Sequence, residues 1–252
     1  MINEINEFST KEEVLERVKE NGAALVYAAE ELQRDREVVM EAVKDDGFSL
    51  QYASNELKND RAFILEAVKE NGWAFRYASD TLRGDQEVFL EAVKLTGYAL
   101  KFASEELKGY REVVLKAVKK NGWVLEHAST KFKRDREVVI EAVKQCGIAL
   151  KYASDTLRRD KVVVLEAIKE NPWAFEYGSE ELKGDREIVI KAVNHNGKLL
   201  EYASEELKGD KEIVMAAVKQ NARALKYVSE ELKKEMLDCW INAMENEIEN
   251  DK

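Results

Sequence analysis

The chain has 252 residues, of which 36% are charged, 45% are hydrophobic and one is proline, a composition typical of a long helical protein rather than of a sheet protein or a disordered chain. Its formal net charge of -10, with both signs interspersed, argues against a broad phosphate-binding surface. No apolar run approaches the roughly 18 residues that span a bilayer, and the start of the chain has no basic segment followed by an apolar one, so we expect a cytoplasmic protein without a membrane segment.

A 25-residue pattern runs without insertion or deletion from Thr10 to Lys234, which makes nine repeats. Such a period indicates that each unit buries its apolar face only by stacking on its neighbours. We number the repeats 1 to 9 and the positions within each repeat 1 to 25, starting at Thr10. Residues 1–9 precede the pattern, and Ile2, Ile5 and Phe8 predict an apolar N-terminal cap.

The first segment of each repeat predicts a helix of about three turns. Position 1 is Asp in seven of the nine repeats, and an apolar stretch such as Val38-Val39-Met40 follows it. An Asp at this point accepts hydrogen bonds from the unpaired amides of the first turn, and its charge complements the helix dipole. Glu at position 7 and Lys at position 10, for example Glu41 and Lys44, predict ion pairs on the outer face.

The middle of each repeat predicts a turn and a second helical segment. Position 13 is Gly in seven repeats, where we expect the left-handed conformation that ends a helix, and Pro172 stops the helix by another route. Apolar residues follow at positions 16, 19 and 23 with helical spacing, as in Leu50, Ala53 and Leu57. Two interpretations stay open: one helix of about ten residues, or a six-residue helix followed by a short 3₁₀ turn that Ser at position 20 caps.

The ends of the array differ from its middle. Repeat 1 has Glu13 at position 4 and Arg17 at position 8, whereas later repeats have an apolar residue at position 4 and Ala at position 8. These two positions should therefore contact the preceding repeat. Residues 235–252 predict an amphipathic C-terminal capping helix. Its apolar residues are Leu237, Trp240, Ile241, Met244 and Ile248. The sequence thus predicts one all-α domain over residues 1–252, a right-handed α-solenoid of nine 25-residue helical-hairpin repeats (10–234) with terminal caps (1–9 and 235–252).

The repeat reads Asp-Arg-Glu-Val-Val-(Leu/Ile/Met)-Glu-Ala-Val-Lys-x-Asn-Gly-Trp-Ala-Leu-x-Tyr-Ala-Ser-Glu-Glu-Leu-Lys. Over about 225 of the 252 residues it resembles the tandem repeats of domain of unknown function 4116, whose unit is a pair of such repeats. The resemblance implies a helical repeat found in bacteria and protists, including secreted or host-interacting proteins, so delivery into a host cell stays open. It implies no catalytic residues.

Catalytic and metal-binding patterns are missing from the sequence. The two histidines, His127 and His195, occupy different repeats and positions, and so do Cys146 and Cys239. Most serines belong to position 20, where capping explains them, and the glycines are spaced by the repeat instead of forming a phosphate loop. Glu pairs at positions 21 and 22 predict an exposed acidic ridge. We expect no enzyme activity, no metal and no cofactor.

The variable positions point to function more than the regular ones do. Positions 14, 17, 18 and 21 share one face of the second segment, opposite the core positions. Stacking should join them into a stripe of aromatic and charged groups, a surface on which solenoids commonly bind partners. The candidate contacts are Phe48, Trp73, Arg76, Tyr98, Lys101, Trp123, Glu126 and Trp173. The alternative is that the aromatic rings only pack on one another.

Departures from the pattern gather near the middle of the chain. Leu95 occupies a usually polar position, Tyr110 replaces the capping Asp, and His127 replaces Tyr. Lys131 and Phe132 depart from Glu and Leu. A local violation without evident gain marks a candidate contact patch, and drift in a tolerant repeat is the competing interpretation.

The leading hypothesis is a monomeric, non-enzymatic module that binds another protein. The alternative class is single-stranded nucleic-acid binding, with aromatic rings stacking on bases and Arg76, Lys101 and Lys151 contacting phosphates; the interleaved Glu126 and Glu176 argue against it. A third interpretation is an engineered repeat scaffold, which the unbroken period suggests. Irregular residues such as Cys146, His195, Pro172 and Phe132 favour a natural origin.

Overall fold

The computed structural model describes residues 9–238, and the chain divides into two compact units, Met1–Gln145 and Cys146–Lys252. Every regular element in the described residues is helical, which confirms the all-α repeat fold. Within each unit, consecutive repeats pack on their neighbours in sequence. The handedness, the count of nine repeats and the single domain stay predictions.

Each repeat begins with a ten-residue α-helix, here called the long helix. In the first unit the long helices are Lys11–Glu20, Arg36–Asp45, Arg61–Glu70, Gln86–Leu95, Arg111–Lys120 and Arg136–Gln145. In the second unit they are Lys161–Glu170, Arg186–His195 and Lys211–Gln220. Positions 5 and 9 of these helices are mostly fully buried, so the repeats share a continuous apolar core within each unit.

The second segment is broken into two elements, which settles the question that the sequence left open. The first is a six-residue 3₁₀ helix. Its copies are Gly22–Tyr27, Gly47–Tyr52, Gly72–Tyr77 and Gly122–His127 in the first unit, and Gly147–Tyr152, Pro172–Tyr177, Gly197–Tyr202 and Ala222–Tyr227 in the second. Repeat 4 instead has a short α-helix at Ala99–Phe102. One of the two interpretations placed 3₁₀ geometry in the final turn, whereas it lies mainly in this element.

A short third helix closes each repeat. It is α-helical at Glu30–Gln33, Asn55–Asn59, Asp80–Arg83, Thr130–Lys133, Asp155–Arg158 and Glu180–Lys183, and 3₁₀ at Leu107–Gly109 and Leu207–Gly209. In repeat 9, residues 230–238 are helical up to the end of the described part. Ser at position 20 caps most of these turns, as Ser79 does by accepting from the Leu82 amide at 3.4 Å, but Ser129 makes no capping hydrogen bond. Because position 21 belongs to this third helix, it does not share a helix with positions 14 to 18.

The predicted Asp caps are confirmed. Asp35 accepts from the backbone amides of Glu37 and Val38 at 3.0 and 3.1 Å, and Asp85 accepts from the equivalent two amides. Thr10 forms a complete capping box with Glu13. Tyr110 caps nothing with its side chain, and its hydroxyl donates to Glu106 at 3.0 Å. The start of each long helix is therefore set by local chemistry.

The same Asp also binds the preceding repeat, a contact that the sequence analysis did not anticipate. The cation at position 2 donates to the Asp 24 residues later, as in Lys11 to Asp35 at 2.8 Å and Arg61 to Asp85 at 2.7 Å. It also reaches the Glu at position 3 of the next repeat, as in Lys11 to Glu37 at 2.8 Å. We call this series of contacts the ion-pair ladder. Each contact is partly exposed and stabilises by about 0–1 kcal/mol.

The ladder is interrupted between repeats 4 and 5. Position 2 of repeat 4 is the neutral Gln86, and position 1 of repeat 5 is Tyr110, which has no carboxylate. Glu112, at position 3, pairs instead with Lys116 of its own helix at 2.9 Å. Between repeats 4 and 5 the ladder therefore lacks both the cation and the carboxylate, and the long helix of repeat 5 also lacks its Asp cap.

Restoring both residues should restore both interactions. Tyr110→Asp should stabilise the protein by about 0.5–2 kcal/mol through the cap. Gln86→Arg should add about 0.5 kcal/mol more in the Tyr110→Asp background than in the wild type, because only then does it have a carboxylate at position 1 as well as Glu112 at position 3. Chemical denaturation of the four proteins measures this coupling. Strictly additive effects would show that the ladder contact does not couple the repeats.

The expectation of left-handed glycines at position 13 is wrong. No glycine in the described residues has a positive φ. The constraint is instead the close approach of neighbouring repeats: a Cβ on Gly22 would lie 2.2 Å from the Ala42 carbonyl oxygen, and one on Gly197 would lie 2.1 Å from that of Ala217. Position 13 therefore packs directly on position 8 of the next repeat, which supports the predicted contact of position 8 with the preceding repeat.

Substitution of Gly22 tests this approach. Gly22→Ala should destabilise the protein by about 1–3 kcal/mol, because the methyl group must push two backbones apart. Gly109→Ala is the matched control, since nothing lies within 4 Å of a Cβ built there. Thermal melting of both variants provides the measurement. Equal melting temperatures for the two would contradict the proposed contact.

The two ends of the array are only partly described. Glu13 is exposed, as expected for a polar outer face on repeat 1. In repeat 9, Leu225 at position 16 is 43% exposed, whereas Leu25, Leu50 and Leu200 at the same position are fully buried. The predicted caps at Ile2, Ile5 and Phe8 and at residues 239–252 lie outside the described residues.

Candidate functional site

Three aromatic side chains at position 14 stack across consecutive repeats of the first unit. The rings of Phe48 and Trp73 are 5.4 Å apart and inclined by 26°, and those of Trp73 and Tyr98 are 5.6 Å apart and inclined by 25°. Offset stacking of this kind stabilises by about 0.5–1.5 kcal/mol per pair beyond the burial of area. All three side chains are half-buried. The rings thus pack on one another and remain partly exposed to solvent.

Arg76 extends this aromatic surface with a positive charge. Its guanidinium lies over three rings, 5.7 Å from Phe48, 5.2 Å from Tyr77 and 5.2 Å from Phe102. Lys101 of the next repeat lies over the same Phe102 ring at 5.8 Å. Positions 14 and 17 align because a 3₁₀ helix has three residues per turn. We call Phe48, Trp73, Arg76, Tyr98 and Lys101 the aromatic stripe.

In the second unit, position 17 of repeats 7 and 8 is a glutamate that lies beside the tyrosine of the following repeat. Burial first, and then the nearby Glu176, raises the pKa of Tyr202. A hydrogen bond to Glu201 raises the pKa of Tyr227. Position 17 of one repeat therefore contacts position 18 of the next through a hydroxyl–carboxylate hydrogen bond.

His127 shows the opposite charge pattern at the same two positions. It replaces the tyrosine at position 18, and position 17 of the preceding repeat is Lys101. Partial burial is the main cause that lowers the pKa of His127; Glu126 opposes this, and Lys101, Lys108 and Lys133 add to it. The Lys133 ammonium also donates to the Glu126 carbonyl at 2.7 Å. The predicted residues Glu126 and His127 thus lie in a cationic part of the surface, next to Trp123.

The lowered pKa of His127 should make folding less favourable in acid. The unfolded state, with its pKa near 6.5, binds the proton more readily than the folded state. The contribution of His127 is complete above that pKa and is lost as pH falls through the folded value. We therefore expect the melting temperature to fall less between pH 7.5 and 5.5 in His127→Tyr than in the wild type. An identical fall in both proteins would contradict the shift.

Trp173 occupies position 14 in the second unit and is 41% exposed. It lines a shallow depression of about 610 Å³. The other charged and aromatic lining residues are Lys198, Glu201, Arg223, Lys226 and Tyr227. The ring that was predicted as a contact is thus accessible, but it has no aromatic stack comparable to that of the first unit in the described residues.

Leu95 and Tyr110 lie in the layer of long helices and not in the aromatic stripe. Leu95 is the last residue of the long helix of repeat 4 and is 50% exposed, whereas Tyr110 precedes the long helix of repeat 5 and is 49% exposed. Because the ladder joins neighbouring long helices at their N-terminal ends, these two residues are about one helix length, roughly 15 Å, apart. Phe132 is buried, and Lys131 lies over its ring at 4.8 Å.

The predicted acidic ridge is neutralised at position 21, the first of its two positions. The carboxylate at position 21 pairs with the base at position 24, as in Glu105 with Lys108 at 2.8 Å and Glu180 with Lys183 at 2.7 Å. Sequence reasoning missed position 24, although an acid and a base three residues apart were a visible signal. In repeat 1 the same position is Gln33, whose amide donates to the Leu25 and Ala28 carbonyls.

Within residues 9–238, the structure has no group of three or more His, Cys, Asp or Glu side chains that could hold a metal ion. No helix in that part of the chain is long and apolar enough to cross a membrane.

Comparison with known proteins identifies the family and nothing further. No curated protein and no solved structure matches the chain. The family model described as Domain of unknown function (DUF4116) matches residues 10–58, 35–83, 85–133, 135–183 and 185–233. Each match spans a pair of 25-residue repeats, and Trp73, Trp123 and Trp173, which are fifty residues apart, each fall in the second repeat of a matched pair. Over almost the whole of its repeated part, the chain belongs to the DUF4116 family.

Proposed function

We propose that the protein is a non-enzymatic module that binds another protein along the aromatic stripe of its first unit. The observation that carries this proposal is the stack of Phe48, Trp73 and Tyr98 with Arg76 beside it. Half-buried aromatic rings and an arginine that packing holds in place are the side chains that most often dominate protein interfaces. Their conformations are restricted before binding, so a partner loses little entropy by contacting them.

The stacking also distinguishes this proposal from single-stranded nucleic-acid binding. Bases bind by placing their faces on exposed aromatic faces. Both faces of the Trp73 ring contact other rings, with centroids at 5.4 and 5.6 Å, so a base would have to separate them. Glu126 at the next position 17 adds a carboxylate where a phosphate would bind. Ring edges and a guanidinium remain available, and these suit peptide groups and carboxylates.

Capture from an extract of the source cell tests the proposal. The immobilised protein should retain a partner that mass spectrometry identifies, and Arg76→Ala should weaken its binding by about thirtyfold, as expected for a contact that contributes about 2 kcal/mol. The melting temperature should change little, because Arg76 is exposed. Trp73→Ala should weaken capture and also lower stability, because it removes the middle ring.

Lys226→Ala is the matched control. Lys226 is also at position 17 and lies over the neighbouring Tyr227 ring at 5.4 Å, but it belongs to the second unit. Capture should be normal in this variant. Undiminished capture by both Arg76→Ala and Trp73→Ala would exclude the stripe as the binding surface.

A further inference from the structure

Repeat 5 is strongly basic in a chain whose net charge is -10. Residues 110–134 contain seven Lys or Arg and two Glu, a net charge of +5. The next most basic repeat, residues 210–234, has six basic and four acidic residues, a net charge of +2. The excess is therefore local, and it coincides with the repeat in which the ladder and the Asp cap are missing.

Three of these cations, Lys116, Lys119 and Lys120, lie on the long helix Arg111–Lys120, which has no acidic residue after Glu112. In repeats 2, 4, 6 and 7 Glu at position 7 pairs with Lys at position 10, as in Glu41 with Lys44 and Glu91 with Lys94, both at 2.6 Å. Position 7 of repeat 5 is Lys116. The residue three positions before Lys119, where those four repeats have the paired Glu, is therefore another lysine.

The remaining contacts of these lysines are weak. Lys119 is 3.8 Å from the nearest carboxylate, that of Glu141 in the next repeat. Position 11 is acidic in repeats 1, 2, 3 and 7 but is Lys120 in repeat 5, and Lys120 has no ion pair within the described residues. Lys116, which pairs with Glu112, is the only one of the three with a close carboxylate in that part of the chain.

A groove of about 520 Å³ lies between the long helices of repeats 4 and 5, next to these lysines. Leu90 and Val93 provide its apolar lining. Its polar lining residues are Glu87, Glu91, Lys94, Lys116, Lys119 and Lys120. The groove thus combines a small apolar floor with four ammonium groups, on a different layer of the repeat from the aromatic stripe.

We propose that this groove binds an acidic segment of a partner protein. Carboxylates of the segment pair with Lys116, Lys119 and Lys120, and an apolar side chain covers Leu90. Charge-assisted hydrogen bonds of this kind are about twice as strong as neutral ones. The groove is a second binding site, separate from the aromatic stripe, and it shares no residue with the stripe.

The carboxylates in the groove favour a peptide over a nucleic acid. Glu87 and Glu91 line the same space as the lysines. A nucleic acid has a negative charge on every nucleotide and would meet both. A peptide segment can place uncharged residues beside them and acidic residues beside the lysines.

The test converts repeat 5 to the charge pattern of three other repeats. Lys116→Glu with Lys120→Glu places Glu at positions 7 and 11, as in repeats 1, 3 and 7. The probe is a fluorescein-labelled peptide of glutamates interrupted by leucines, and fluorescence anisotropy measures its binding. We expect the wild type to bind it and the variant to bind at least about tenfold more weakly. The melting temperature should change little, because the new carboxylate at position 7 can pair with Lys119 three residues later, while the pair of Lys116 with Glu112 is lost.

The controls separate this site from total charge and from the aromatic stripe. Lys219→Glu with Lys234→Glu makes the same charge change in repeat 9 and should leave binding intact. Arg76→Ala should also bind the probe normally. A failure of the proposal for the aromatic stripe can therefore be distinguished from a failure of the proposal for the groove. A peptide with glutamine in place of each glutamate should not bind.

Three outcomes would overturn the proposal. The first is equal binding of the acidic peptide by the wild type and the repeat 5 variant. The second is an equal loss of binding in the repeat 9 control, which would show that only net charge matters. The third is tighter binding of single-stranded oligothymidylate than of the peptide, lost in the repeat 5 variant, which would assign the groove to a nucleic acid.

Discussion

One carboxylate at the start of each long helix connects the local and the long-range structure of this protein. Asp85 accepts from the amides of its own first turn and from Arg61 of the preceding repeat. Arg61 lowers the pKa of Asp85, burial opposes this, and the backbone amides contribute to the lowering. The same carboxylate thus determines where the long helix begins and binds the cation of the preceding repeat.

The elements of the repeat could be predicted because their causes are local. Asp35 and Ser79 cap helices that start within three residues of them, and the apolar spacing of Leu50, Ala53 and Leu57 reports burial directly. Contacts between repeats were harder to predict from the sequence. A glycine suits both a left-handed helix end and a close backbone approach, and only the separation of Gly22 from Ala42 shows that the second requirement applies.

The candidate site was predicted in part for the same reason. Equivalent positions in consecutive repeats come together, so Phe48, Trp73 and Tyr98 were grouped correctly from their spacing. Leu95 and Tyr110 are close in sequence but belong to opposite ends of the long helices, which a list of irregular residues does not reveal. The lysines of repeat 5 were overlooked because single lysines on a helix indicate only solvent exposure. Their signal is the net charge of one repeat compared with the others.

Apart from Phe132, which is buried where most repeats have a leucine, the irregularities of repeat 5 lie at or near its surface. Val113, Val114, Ala117 and Val118 are buried as in the other repeats, so its core is regular. In a repeat array, stability is close to a sum of the contributions of single repeats and of their interfaces. A missing cap and a missing ladder contact therefore weaken the interface of repeats 4 and 5 in particular. The proposed groove spans the same two long helices, so an acidic segment bound there would replace the absent carboxylates with its own and strengthen the interface that lacks them.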